Sequence, residues 1–290
     1  MTRRFAVTLL TIAGLLGFAA GTSAAAPGRE VHASGNVKYH AARGQARPGH
    51  GGSPNLVFHG GPILNSPAVQ AIYWGSSWSN SSFAGDKITG LATFYSQMGG
   101  SAYAGTTTEF AGSNGSNSGA VSYGGNIIDT SAAPSRAPST STILNEVARK
   151  ISSPVANGYY PVYVDSRRGS AGYCAWHSWG TINGVAVQFA FFFNLDGDAG
   201  CDPQDTWTSH SQGLAALANV SGHELSEALT DAHLNAWYDN GGSENADKCA
   251  WTFHAPVNFS GSTWKIQGNW SNAAYNAHTG YTLGGCVDGN

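Results

Sequence analysis

The stretch Ser209-His-Ser-Gln-Gly-Leu-Ala-Ala-Leu-Ala-Asn-Val-Ser-Gly-His-Glu-Leu-Ser-Glu-Ala-Leu229 reads as one long helix, and its character decides how the rest of the chain is read. At about 100° per residue, Leu214, Leu217, Ala218, Ser221, Leu225 and Ala228 form one stripe, and Ala216, Val220, His223 and Glu227 form another on the opposite side. A surface helix carries charged residues opposite its apolar stripe, whereas Ser209 to Thr230 holds no Lys or Arg at all. Both faces are therefore expected inside, as in a zincin-like central helix. His223 and Glu227 then have no cation on their own helix to balance a buried carboxylate, and a metal ion would supply that balance.

Within this helix, Gly222-His-Glu-Leu-Ser-Glu227 places a second metal-ligating group four residues after the histidine and a carboxylate between them. One helix face can so present two ligands, with Glu224 as general base. The second ligand is Glu rather than His; carboxylate oxygen binds zinc at a length similar to imidazole nitrogen but adds negative charge. Asp231, His233, Asp239, Glu244 and Asp247 follow closely, and Glu244-Asn-Ala-Asp247 resembles the arrangement by which thermolysin-type enzymes supply a third ligand and a carboxylate that orients a ligand from behind. The expected zinc set is His223, Glu227 and Glu244, with His177 as the alternative third ligand and Asp247 behind them.

Around the helix, 290 residues with 41% hydrophobic and 11% aromatic content suffice for a real core and exclude collagen-like and disordered classes. Met1 to Ala26, two arginines before an apolar run ending in small residues, reads as a signal peptide. Residues 27–54, with four Lys or Arg against one Glu and no periodicity, read as a flexible basic linker or pro-segment. From residue 55 onward eight basic residues face sixteen acidic ones, which repels nucleic-acid phosphate, and no later stretch is long enough to span a bilayer. Strands are expected at Ala68 to Trp74, Tyr159 to Asp165 and Val185 to Phe193. Helices are expected within Phe83 to Met98 and over Thr140 to Ile151, with loops and short strands over Gly99 to Gly125 and short strands and turns at Trp251 to Val287. The whole reads as a single α+β domain over 55–290, a mixed sheet packed with a few helices and no regular βαβ repeat.

Cys174, Cys201, Cys249 and Cys286 are an even set in an exported chain, so two disulfides are expected. Of the three pairings possible, Cys174 with Cys201 and Cys249 with Cys286 is favoured, the first stapling the ends of the Val185 to Phe193 region. A thiol nucleophile at Cys174 beside His177 would leave an unpaired cysteine outside the cell. Asp196-Gly-Asp198 begins like a calcium loop but lacks the turn glycine and the twelfth-position Glu, so a turn beside the disulfide is expected.

Phe58-His-Gly-Gly-Pro-Ile-Leu64, Tyr73-Trp-Gly with Trp78, Tyr173-Cys with His177, His223-Glu with Glu227 and Thr230, Asn235-Ala-Trp-Tyr238, and Glu244 through Asp247 to Cys249 together resemble the blocks of the EXORDIUM, or phosphate-induced protein 1, family. The resemblance runs from about residue 55 to 252 and implies a secreted, extracellular or cell-wall-associated protein, without implying a reaction. The Asp239-Asn-Gly-Gly loop differs in length from the plant members. The residues themselves point to an exported zinc-dependent metallohydrolase, most simply a peptidase acting on an extracellular peptide, protein or cell-wall substrate. The rival is a non-catalytic extracellular protein in which the same cluster is structural.

Overall fold

The computed structural model describes residues 29–45 and 54–290. The expected signal peptide lies outside these residues. Seven strands make the central mixed sheet: β1 (Val31–Ala33), β2 (Lys38–Ala41), β3 (Ala68–Trp74), β4 (Ser122–Asp129), β5 (Gly158–Arg167), β6 (Tyr173–Ile182) and β7 (Val185–Asn194). Their order is β4-β3-β5-β7-β6, with β1 and β2 both on the outer side of β6. From β4 to β7 the neighbours are parallel, and β6 is antiparallel to β7 and to β1 and β2. Helices α1 (Lys87–Met98), α2 (Thr140–Lys150) and α3 (Gln212–Thr230) cover the sheet, and Ser81–Ala84, Ala102–Gly105 and Asn272–Ala277 form shorter ones. This is the single α+β domain that the sequence pattern implies.

The central strands form where β-branched and aromatic residues run without a break: Phe189, Phe191, Phe192 and Tyr163 are all buried, as parallel strands covered on both faces require. Side chains alternate across a strand, so His177 and Gly180 on β6 point to opposite faces. A Cβ at Gly180 would lie 2.4 Å from Leu144 of α2, which fixes α2 on that face and leaves the His177 face to α3.

Two readings need correction. Residues 31–41, expected in a linker outside the domain, are the edge of the main sheet, with Val31 opposite Ile182 and Lys38 opposite His177. An edge covered on one side needs no apolar run, and Ser34 to Asn36 interrupts the strand, so no period shows. β6 itself, read only as a thiol and imidazole neighbourhood, is a ten-residue strand. Within Gly99 to Gly125, the Gly-rich end begins β4, whose alternating half-exposed pattern is that of an outer strand.

Both disulfides form with the favoured pairing, Cys174–Cys201 and Cys249–Cys286, and no cysteine is free among the described residues. The first ties β6 to the turn after β7, where Arg168 chelates Asp198 at 2.7 and 2.9 Å. The second anchors the segment that carries Asp247 to the C-terminal ribbon of Asn269–Trp270 and Cys286–Val287. No helix among the described residues is long and apolar enough to cross a membrane.

Candidate metal centre

α3 is capped at its N-terminus by a side chain, and Asp231 just past its C-terminus organises the turn that follows. Ser211 accepts from Leu214 N–H at 3.1 Å and is itself gripped by Asp86, whose carboxylate accepts from Ser211 N–H at 2.9 Å. At the far end Asp231 accepts from Asn235 and Ala236 N–H, both at 2.5 Å, turning the chain sharply away. Every residue from Gly213 to Thr230 is buried. Close approach to α1 requires glycine at position 90, where a Cβ would lie 2.2 Å from Leu214. The all-round burial anticipated from the absent basic residues is therefore real, and it places His223, Glu224 and Glu227 inside the protein.

Three further elements converge on them. Strand β6 delivers His177, and β2, paired in register with it, delivers Lys38 and, two residues on along the same face, His40. The loop after Trp237–Tyr238 delivers Glu244 and Asp247. It is docked on α3 by Asn245, which donates to Ser226 O at 3.3 Å, and by Asp247 N–H, which donates to Glu227 Oε1 at 3.1 Å. Asp231 completes the group from the helix end.

Glu227 lies at the middle. Its Oε1 is 3.0 Å from His223 Nε2, and its Oε2 is 3.3 Å from His177 Nε2. Two sets of possible ligand atoms lie mutually within 4.8 Å: His177 with Glu224 and Glu227, and His223 with Glu227 and Asp247. Glu244 belongs to neither set; its Oε2 is 3.3 Å from His177 Nε2 and 4.0 Å from Lys38 Nζ. His177 and Glu244, weighed in the sequence as alternatives, thus stand side by side, and Asp247 reaches into ligand range of His223. Glu224, expected as general base, is turned into the cluster, because a helix buried on every side offers it no solvent face.

The residues present fit a cation. Both oxygens of Glu224, Oε2 of Glu227, Oε1 of Glu244 and Nε2 of His223 are buried without a hydrogen-bond partner. His223 Nε2 is close to Glu227 and Asp247, at 3.0 and 3.8 Å, yet the Glu227 oxygen does not lie in line with the ring N–H direction and that of Asp247 is beyond hydrogen-bond reach. Off-axis oxygens around a ring nitrogen suit ligands sharing an ion better than a hydrogen bond. Behind the ring, Gln267 Nε2 lies 2.9 Å from His223 Nδ1 and donates to Ala246 O, while Gln267 Oε1 accepts from Trp251 N–H. The amide holds the ring in place as a donor to Nδ1, and His40 packs against the same ring with centroids 3.8 Å apart.

The electrostatics show the same hunger for positive charge. Burial, reinforced by the charge of Glu227, pushes Glu224 well above the carboxylate range and Asp247 up to about 6. Burial and the charge of Glu244 push Asp231 up to about 8. Burial opposes a charged imidazole, but Glu244 holds His177 well above its ordinary value, and Glu227 holds His223 up at about 9. Glu227, against the cost of burial, is pulled down by the two histidines. His40 goes the other way, kept neutral by burial and by the neighbouring His223 charge. Without a metal, protons do the work that a cation would otherwise do.

Access is confined to one side. The Asp247 side chain is 26% exposed and Lys38 22% exposed, while His177 and the three glutamates are fully enclosed. A cleft of about 430 Å³ opens there, lined by Val37, Lys38, Tyr39, Tyr173, Gly242 and Asp247. Lys38, His40 and Gln267 were invisible in the sequence as site residues: the first two lie in the stretch read as a linker, and Gln267 follows His223 by 44 residues with no motif around it. No family model, curated protein or solved structure matches the chain, so the site stands on its own geometry. His177, Glu224 and Glu227 form a buried triad able to hold a metal ion.

Proposed function

We propose that the chain is an exported zinc-dependent hydrolase, most simply a peptidase acting on an extracellular peptide, protein or cell-wall substrate. The observation that carries this reading is the set of buried, unpartnered ligand atoms around Glu227, next to a cleft that reaches Asp247. His223, Glu227 and Asp247 would hold the ion nearest the cleft; Asp247 takes the place that the sequence assigned to Glu244. Zinc supplies Lewis acidity there, polarising a scissile carbonyl and acidifying water. Burial raises the proton affinity of Glu224 and no other group occupies its oxygens, so that Glu224, once ionised beside the metal, is a strong base with both oxygens open. It is thus suited to take a proton from the attacking water and to return it to the leaving amine. Asp247 N–H fixes Oε1 of Glu227, and Gln267 and His40 fix the ring of His223.

Membership of the EXORDIUM family and export to the extracellular space belong to the same proposal. They are supported by the sequence blocks, by the leader-like first residues and by two disulfides that fit an oxidising compartment. The test is metal content of the exported protein followed by assay of Glu224→Gln on peptide libraries. Bound zinc with activity lost in the variant supports the hydrolase, whereas bound zinc with no activity in either protein makes the centre structural.

A further inference from the structure

We propose that the centre is binuclear: a second divalent cation lies on the far side of Glu227, held by His177, Glu227 Oε2 and one oxygen of Glu224, so that Glu227 bridges two ions. This rests on the reading of the His223 side as a metal site. Glu227 is the common member of both ligand sets, and it addresses a different imidazole with each oxygen. That is the arrangement a bridging carboxylate requires, and two-metal hydrolytic sites hold their ions about 3.5–4 Å apart.

Distance separates this from a plain ion pair. A charge-assisted N–H to carboxylate hydrogen bond settles at about 2.7–2.9 Å. His177 Nε2 instead lies 3.3 Å from Glu227 Oε2 and 3.3 Å from Glu244 Oε2, the second contact a hydrogen bond and the first not aligned as one. Two donors bound to one tetrahedral ion at about 2.0–2.1 Å stand about 3.3 Å apart. Glu224 adds the independent observation: it is fully buried, has both oxygens unpartnered, and sits within ligand range of His177 and Glu227. With one oxygen given to the second ion, the other remains for the proton.

Formal charge agrees. With every carboxylate ionised and the imidazoles neutral, Glu224, Glu227, Asp231, Glu244 and Asp247 exceed the one ammonium, Lys38, by four negative charges. One divalent ion removes half of that charge, and two remove it all. Glu244, whose Oε2 lies 3.3 Å from the same His177 Nε2 and 4.0 Å from Lys38 Nζ, is placed to join the inner ion when that nitrogen is given to the metal.

The experiment uses the full exported chain, stripped with chelator, equilibrated with zinc, desalted and analysed by elemental mass spectrometry. About two zinc ions per chain are expected, falling to about one in His177→Asn and to about one in His223→Asn, and to none in Glu227→Ala. One zinc in the wild type, lost in His223→Asn and kept in His177→Asn, overturns the second ion and leaves the hydrolase reading intact. No zinc in the wild type overturns both. Should a variant fail to fold, the wild-type count still decides, together with the zinc X-ray absorption spectrum, where a metal–metal distance of about 3.5–4 Å supports the bridge and its absence at full loading contradicts it.

Discussion

Two groups of buried carboxylates in this protein are built on opposite plans. Asp129 at the end of β4 and Glu146 on α2 are both paired with Arg149, and Lys150 Nζ lies 3.1 Å from Asp129. Ser131 adds hydrogen bonds of 3.0 and 2.8 Å to Asp129. Asp129 consequently ionises below the usual carboxylate range although burial opposes it, while Glu146, raised to about 7 by burial and by Asp129, shares a proton with it. The cluster around Glu227 has more carboxylates and one ammonium. The first group carries its cations within a few residues on the helix of Glu146; the second, on a helix with none, has only Lys38 from a neighbouring strand.

The comparison breaks most visibly at Glu227. Glu227→Ala should lose the metal and cost about 3–5 kcal/mol of stability, the range for removing one partner of a buried charge pair, read as a shift of the denaturant midpoint. A metal-loaded, fully stable variant would put Glu227 on the same footing as a surface acid. Next in size is Glu224→Gln, which should lower hydrolysis by about 100-fold or more while the ion on His223 stays, because it removes the base and keeps the shape. Unchanged turnover would remove Glu224 from the chemistry.

The two clusters should also differ in how pH acts on them. In the metal-free protein Asp247, Asp231, Glu224 and the two histidines hold protons in the folded state that they would release when unfolded. For the raised carboxylates, stability declines as pH rises from about 4 through about 6 for Asp247 and about 8 for Asp231. His223 adds stability below its unfolded value, lost as pH rises through about 9. Zinc competes with those same protons, so the rise in melting temperature on adding zinc should grow between pH 5 and 8, the total stabilisation being worth about 2–3 kcal/mol where zinc exceeds its dissociation constant about 100-fold. A zinc effect that is flat or larger at pH 5 would separate the ion from this cluster. The smallest effect belongs to the other group: Arg149, with its side chain 45% exposed and Lys150 still in place, should cost only about 1 kcal/mol on Arg149→Ala, with zinc content unchanged.

What could be read from the sequence follows from where each signal resides. The interior character of α3 was legible because the absence of Lys and Arg over its whole length is a local property, and the same holds for the apolar runs of β5 and β7 and for the disulfide pairing. Lys38 and His40 were not legible, because an outer strand paired on one side shows neither alternation nor an apolar run, and its value to the site comes only from the register that sets Lys38 opposite His177. The choice between Glu244 and His177 had no answer in sequence, since the fold brings both to within 3.3 Å of each other. Asp247 was read as a carboxylate behind the ligands, and only the docking of its backbone N–H on Glu227 shows how it enters ligand range.

The most direct test of the central claim, that the Glu227 cluster is a metal centre, is an anomalous difference map from crystals of the zinc-equilibrated protein recorded at the zinc absorption edge. The account expects density between His223, Glu227 and Asp247 with ligand distances of about 2.0–2.2 Å. A map without density anywhere around Glu227, in crystals whose His223 Nε2 instead donates in line to a carboxylate, would contradict it.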